Sequence, residues 1–123
     1  MPGRGPFQKR MGYSFKKPEL LELALTHPSV NYEQSKTLNH NQRLEFLGDA
    51  VLQMIISAEL YRQFPTRNEG TLSKVRAQMV NRNALAEQAM QIKLGTELLL
   101  SRGEERNGGR ERASALADAF EAV

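Results

Sequence analysis

The run Arg43-Leu44-Glu45-Phe46-Leu47-Gly48-Asp49-Ala50-Val51-Leu52 sets two carboxylates four residues apart inside an apolar stretch. On an α-helix this spacing puts Glu45 and Asp49 on one face, a turn apart. Their neighbours Leu44, Phe46, Leu47, Val51 and Leu52 hold the pair against or beside a core. Charge placed there needs a partner, and a divalent cation is a good one. Gly48, between the two acids, is unusual in mid-helix and is most simply explained by the close approach of another helix.

A second pair stands in Ala113-Ser114-Ala115-Leu116-Ala117-Asp118-Ala119-Phe120-Glu121-Ala122-Val123. Asp118 and Glu121 are three apart and also share a helical face. Leu116, Phe120 and Val123 form the apolar stripe, while Ser114, Ala115 and Ala122 keep the segment slim enough for a second helix to come close. Two acidic faces on two helices can then converge into one site.

The rest of the chain reads as helices joined by polar loops. Pro18 suits a first helical turn, and Leu20, Leu21, Leu23, Ala24 and His27 recur with helical spacing until Pro28. Residues 31–41 form an aperiodic polar loop. A long helix is expected from about Gln42 to Gln63, ending before Pro65, with Leu44, Leu47, Val51, Ile55 and Ala58 as its inward stripe. Thr71 to Asn81 is a third helix, with Leu72, Val75, Met79 and Val80 inward and Lys74 and Arg76 outside. Arg82 to Leu94 is a fourth, closed by Gly95 as a left-handed cap. Leu98-Leu99-Leu100 is ambiguous, and Gly108-Gly109 is expected to be a mobile point before the last helix. No β pattern persists, so the fold class is all-α.

The chain has 123 residues, which fits one small domain. Residues 1–15, basic and rich in Gly and Pro, read as a flexible leader with no apolar stretch of the kind a signal peptide needs, leaving residues 16–123 as the domain. No apolar run approaches the roughly 20 residues that span a bilayer. The absence of cysteine excludes disulfides and thiolate ligands and favours a cytoplasmic setting. Net charge is +3, and if four acids are engaged with metal, the remaining surface is more basic than this total. Val123 falls inside a periodic helix with no cap, so the chain is expected to continue beyond it.

The run from Arg43 to Leu52, followed by Leu116-Ala117-Asp118-Ala119-Phe120-Glu121-Ala122, resembles the nuclease domain of bacterial-type ribonuclease III. Leu23 to Ser29, Asn68 to Ser73, Val75-Arg76-Ala77 and Gly108-Gly109-Arg110 follow the family's order and spacing. The resemblance implies a helical-bundle endonuclease domain, incomplete in its last catalytic helix and lacking the separate double-stranded-RNA-binding domain. It implies Glu45, Asp49, Asp118 and Glu121 as metal-binding acids, with Asp49 and Glu121 catalytic and Mg²⁺, or Mn²⁺ in its place, as the ion. Glu69 matches a secondary acidic position, and Gln42 stands where many members carry another Glu. Phe46 matches an aromatic that packs into a partner subunit across a two-fold interface.

The activity so implied is hydrolysis of double-stranded RNA by a homodimer, each site cutting one strand to leave 5′-phosphates and short 3′ overhangs, in the processing of rRNA and other structured precursors. Hard cations prefer carboxylate oxygen and water, and the four acids offer these without His or Cys. No organic cofactor is implied. Duplex RNA is read through shape, 2′-hydroxyls and phosphates, for which Arg67, Lys74, Arg76, Arg82, Arg106, Arg110 and Arg112 are candidate donors. His27 reads as a packing or capping residue at a helix end.

Three other readings compete. A di-iron carboxylate bundle requires Glu-x-x-His pairs, and neither His27 nor His40 follows a Glu by three residues. A catalytically inactive RNA-binding module of the same fold would lose one or more metal acids, and all four are present. A plain helical domain with surface acids does not easily explain two acid pairs embedded in apolar runs.

Overall fold

The computed structural model describes residues 4–30 and 39–123, so most of the polar loop expected over 31–41 lies outside the described residues. The helices are α1 (Gly5–Met11), α2 (Pro18–Ala24), α3 (Gln42–Gln63), α4 (Glu69–Val80), α5 (Arg82–Gln91), α6 (Arg102–Arg106) and α7 (Ala113–Ala122). Short 3₁₀ turns at Leu94–Glu97 and Gly109–Glu111 connect the last of them. The domain is all-α, and the only β pairing among the described residues is an isolated parallel bridge, Thr26 to Leu99.

The core gathers Phe7, Leu21, Leu25, Ala86, Ala89, Leu94, Leu98, Ala115, Leu116 and Ala119 from α1, α2, α5, the Leu94–Leu98 segment and α7. Helix α7 is central, packed against both α3 and α5. Its alanines at 115, 117 and 119 are buried, which lets both neighbours approach closely. Helices α4, α5 and α6 start at side-chain caps from Asn68, Asn81 and Ser101, each accepting a backbone N–H three residues on at 2.8–3.1 Å.

Several expectations are corrected. From residue 4 onward the basic leader is part of the fold, because Phe7 has 0% exposure in the core and Pro6 stands in the first turn of helix α1. Arg4 pairs with Glu22 at 2.7 Å and with Glu97 at 2.8 Å, and Arg10 lies over the Phe7 ring. Helix α2 ends at Ala24 instead of His27, since His27 N–H donates to the Leu99 carbonyl at 2.9 Å and Leu99 N–H to that of Leu25 at 2.9 Å.

Gly95 does not close α5. The left-handed residue is Lys93, at φ 56°, and Gly95 instead lacks a Cβ because the Arg110 carbonyl and the Leu116 side chain press on it. Gly108 adopts φ 77° in a turn, and a Cβ on Gly109 would stand 2.6 Å from Glu104 Cγ, so the expected mobile point is packed.

The inward stripe expected for α3 is also corrected. Leu47 and Ile55 are 58% and 53% exposed, and Val51 and Ala58 lie on the same open side. The more buried side carries Glu45, Gly48, Leu52, Ile56 and Leu60. Apolar residues are spread almost all round this helix, so their period does not select a face; the close contact at Gly48 does. On α4, Met79 is exposed and Arg76 is half-buried, the reverse of their expected placement.

Candidate metal centre

Glu45 lies one turn into α3 and Asp49 one turn further, while Asp118 and Glu121 lie on α7. The crossing of the two helices at Gly48 brings these faces together. A Cβ on Gly48 would stand 2.6 Å from the Glu121 carbonyl carbon and closer still to its oxygen, so only glycine permits the approach. One carboxylate oxygen from each of Glu45, Asp118 and Glu121 lies within 4.8 Å of the others, and all three residues are half-buried. Glu121 also shares hydrogen bonds with Asp49 and with Glu45, so the fourth acid adjoins the same cluster although Asp49 itself is exposed.

Burial is the largest influence on the Glu121 carboxyl, followed by its hydrogen bond with Asp49 and the charges of Asp49, Glu45 and Asp118. Together they push its pKa up to about 8. Burial and the charges of Asp118 and Asp49 raise that of Glu45, against the hydrogen bond with Glu121. Asp118 is raised by burial, with Arg82 and His27 opposing. Glu121 holds its proton near neutral pH and burial raises Glu45 and Asp118 beside it, so this is a set in which a cation can take the place of protons. The donors are all hard oxygens, at a spacing one ion can bridge, so the residues fit Mg²⁺ or Mn²⁺.

The other candidates are placed as follows. Glu69, the first residue of α4, accepts from Ser73 Oγ at 3.0 Å and lies outside the three-residue cluster. Gln42 is exposed at the start of α3. Phe46 is 80% exposed and therefore not core, alongside exposed Leu47, Val51, Met54 and Ile55 on one helix. Arg67, Lys74, Arg82 and Arg106 are exposed.

Arg76 donates to Ser57 Oγ at 2.8 Å, which ties α4 to α3. Arg110 is engaged within the fold: its guanidinium donates to the carbonyls of Gly95 and Leu98 at 3.1 and 2.7 Å and to Glu105 at 2.9 Å. Arg112 pairs with Glu104 at 2.8 Å and donates to the Asn107 carbonyl. His27 Nδ1 accepts from Ser29 N–H at 3.1 Å, in keeping with the packing role, and burial lowers its pKa.

A groove of about 570 Å³ opens between the second half of α3 and α4, lined among others by Ser57, Tyr61, Phe64, Arg67, Glu69 and Arg76. It does not contain the acid cluster. Asn41, expected at the end of the polar loop, is 1% exposed and abuts the start of α3. Its only sequence signal was an Asn immediately before a helix.

Comparison with known proteins agrees with this geometry. A family model described as ribonuclease-III-like matches residues 17–123. Ribonuclease 3 of Desulforamulus reducens is 56% identical over 115 residues, covering 93% of this chain and 47% of that protein. Ribonuclease 3 of Oleidesulfovibrio alaskensis is 50% identical over 111 residues, covering 90% and 48%. The chain thus spans about half the length of the curated relatives it matches. The crystal structure of the nuclease domain of ribonuclease III from Campylobacter jejuni superposes with a TM-score of 0.91 at 42% identity, covering all of this chain and 80% of that one. A second structure of that domain is described for structural flexibility in a region involved in dimer formation. With the match running through both acidic helices and the Gly48 contact between them, the chain belongs to the ribonuclease-III-like family.

Proposed function

We propose that this chain is the catalytic part of a metal-dependent endoribonuclease that hydrolyses phosphodiester bonds of double-stranded RNA. The convergence of Glu45, Asp118 and Glu121 within 4.8 Å, with Asp49 hydrogen-bonded beside them, carries this reading. Bound there, Mg²⁺ supplies an acidified water and neutralises charge on the phosphate. Glu45, Asp118 and Glu121 supply the oxygen donors that hold it. Asp49 adjoins the Glu121 carboxyl, and Asp49 and Glu121 are the acids assigned to the reaction. Mn²⁺, with the same preference for oxygen, substitutes.

The active unit in this reading is a homodimer. The exposed side of α3 presents Phe46, Leu47, Val51, Met54 and Ile55 as a contiguous apolar strip, which a second copy would cover. Two-fold symmetry then sets two equivalent sites across a duplex, leaving 5′-phosphates and short 3′ overhangs. Arg67 and Lys74, both exposed, are the cations assigned to duplex phosphates. Arg76, half-buried, holds Ser57 through one nitrogen and has further N–H groups to offer the same duplex. Processing of rRNA and other structured precursors in the cytoplasm is the corresponding role. Among the described residues no helix is long and apolar enough to cross a membrane.

The test is incubation of a long perfect RNA duplex with the protein in Mg²⁺ or Ca²⁺, beside a Glu121→Gln control and a sizing column. Short duplex products in Mg²⁺ that the control lacks, while the control still binds the duplex, are expected. A well-folded dimer that binds duplex and cuts nothing would instead favour a binding module.

A further inference from the structure

Asn41 stands at the junction between the core and the acid-bearing helix. It is 1% exposed, directly before α3, with its backbone at φ −83°, ψ 0°. Asparagine at this position ordinarily turns its side chain onto the free N–H groups of its own helix. Asn41 does not. Its Nδ2 reaches across to donate to the Ala24 carbonyl at 3.1 Å, satisfying the last residue of α2. Its backbone N–H donates to the Thr26 carbonyl at 3.0 Å, and its own carbonyl accepts the Glu45 N–H at 2.8 Å. Among the described residues no donor reaches its buried Oδ1.

These bonds form one path. Leu25 and His27 are locked to Leu99 by the two bridge hydrogen bonds, and the Thr26 carbonyl between them holds Asn41. Asn41 in turn holds Glu45, the first acid of the cluster, one turn up α3. The other end of the site is set independently by the Gly48 contact with Glu121. A helix gripped at Gly48 alone can still pivot about that contact. A second grip at Asn41, seven residues earlier, removes this freedom and fixes where the Glu45 carboxylate stands relative to Asp118 and Glu121. The choice of a tether in place of a cap gives up helix stability in exchange for position.

We propose that Asn41 is a positioning residue for Glu45: it sets the cation affinity of the acid cluster by tethering the start of α3 to the end of α2. The inference rests on the metal-dependent reading above. Groups that orient metal ligands from behind commonly contribute roughly 10-fold to 100-fold in affinity.

The experiment is calorimetric titration of Mg²⁺ alone into the full chain, with thermal unfolding recorded for every variant. Asn41→Ser is the informative change, because serine is a good cap for α3 itself but is too short to reach Ala24. Asn41→Asp, close to isosteric, removes the Nδ2 donor and serves if the serine variant folds poorly. Phe7→Leu, a core change on α1, matches the loss of stability without touching the tether. The Mg²⁺ dissociation constant is expected to rise at least about tenfold in either Asn41 variant and to stay unchanged in Phe7→Leu. Unchanged affinity in a folded Asn41 variant, or equal weakening in Phe7→Leu, overturns the positioning role and leaves the nuclease reading standing. Wild-type protein that takes up no Mg²⁺, indistinguishable from Glu121→Gln, overturns both.

Discussion

Gly48→Ala sets two effects of opposite sign against each other. In an ordinary exposed helix the change favours folding by about 1 kcal/mol, because alanine loses less backbone entropy. Here the added Cβ would stand 2.6 Å from the Glu121 carbonyl carbon, whereas carbons in contact prefer about 3.5–4.0 Å. Helices α3 and α7 must therefore part by more than about 1 Å, because the Glu121 carbonyl oxygen stands closer still, and neither surface at the contact is a flexible side chain that could swing aside. Overpacking of this kind costs about 1–3 kcal/mol, more where backbone must move. The net is a destabilisation of about 1–2 kcal/mol, or a fall in Tm of roughly 5–10 °C for a domain of this size.

The same displacement separates Glu45 and Asp49 from Asp118 and Glu121, and a 1 Å misplacement of catalytic groups costs about 100-fold in rate. Thermal unfolding and duplex cleavage measure the two effects. Gly103→Ala, where the new methyl meets open space within α6, is the control expected to raise Tm slightly. If Gly48→Ala also raises Tm and cleaves duplex normally, the close crossing of α3 and α7 is refuted.

In the metal-free protein the Glu121 carboxyl titrates at about 8 against 4.5 for an ordinary glutamate, so the folded state binds this proton more tightly than the unfolded chain. Its stabilising contribution is fully present below about 4.5 and is lost as pH rises through about 8; urea midpoints should fall across that window, and fall less in Glu121→Gln or saturating Mg²⁺. A midpoint that rises with pH would contradict the crowding of the acids. Phe7→Ala should destabilise by about 3–5 kcal/mol, read by urea unfolding, since the ring is fully buried. A loss under about 0.5 kcal/mol would return α1 to the status of a leader. Arg110→Met should lower Tm through three lost hydrogen bonds while leaving the salt dependence of duplex binding unchanged. A shallower salt slope would make Arg110 a phosphate contact.

Local chemistry made much of the molecule legible from its residues. The span of α3 from Gln42 to Gln63 follows from a continuous run without glycine or proline near its ends and Pro65 beyond, and the folded helix has the same bounds. The acid pairs at 45 and 49 and at 118 and 121 declare shared helical faces by spacing alone. Gly48 declares a close neighbour, which proves to be the Glu121 backbone. These are properties of a few adjacent residues, and helical geometry transmits them directly.

Tertiary structure decided what depends on residues distant in the chain. Which side of α3 faces inward was undetermined by a helix apolar nearly all round, until α7 docked at Gly48. Phe7 counted for little among the glycines and charges of its segment, yet a single aromatic ring filling the core is enough to fold it. Arg110 and Arg76 were indistinguishable in sequence from solvent-exposed cations; carbonyls at 95 and 98 and a hydroxyl at 57 claimed them. Asn41 falls at the end of the expected polar loop and became a tether, because the Ala24 carbonyl, seventeen residues away, comes within reach of its amide only once α2 and α3 have packed. Helix formation is local and leaves its mark in short spacings, whereas the partner of a buried polar group is chosen only when the whole chain closes around it.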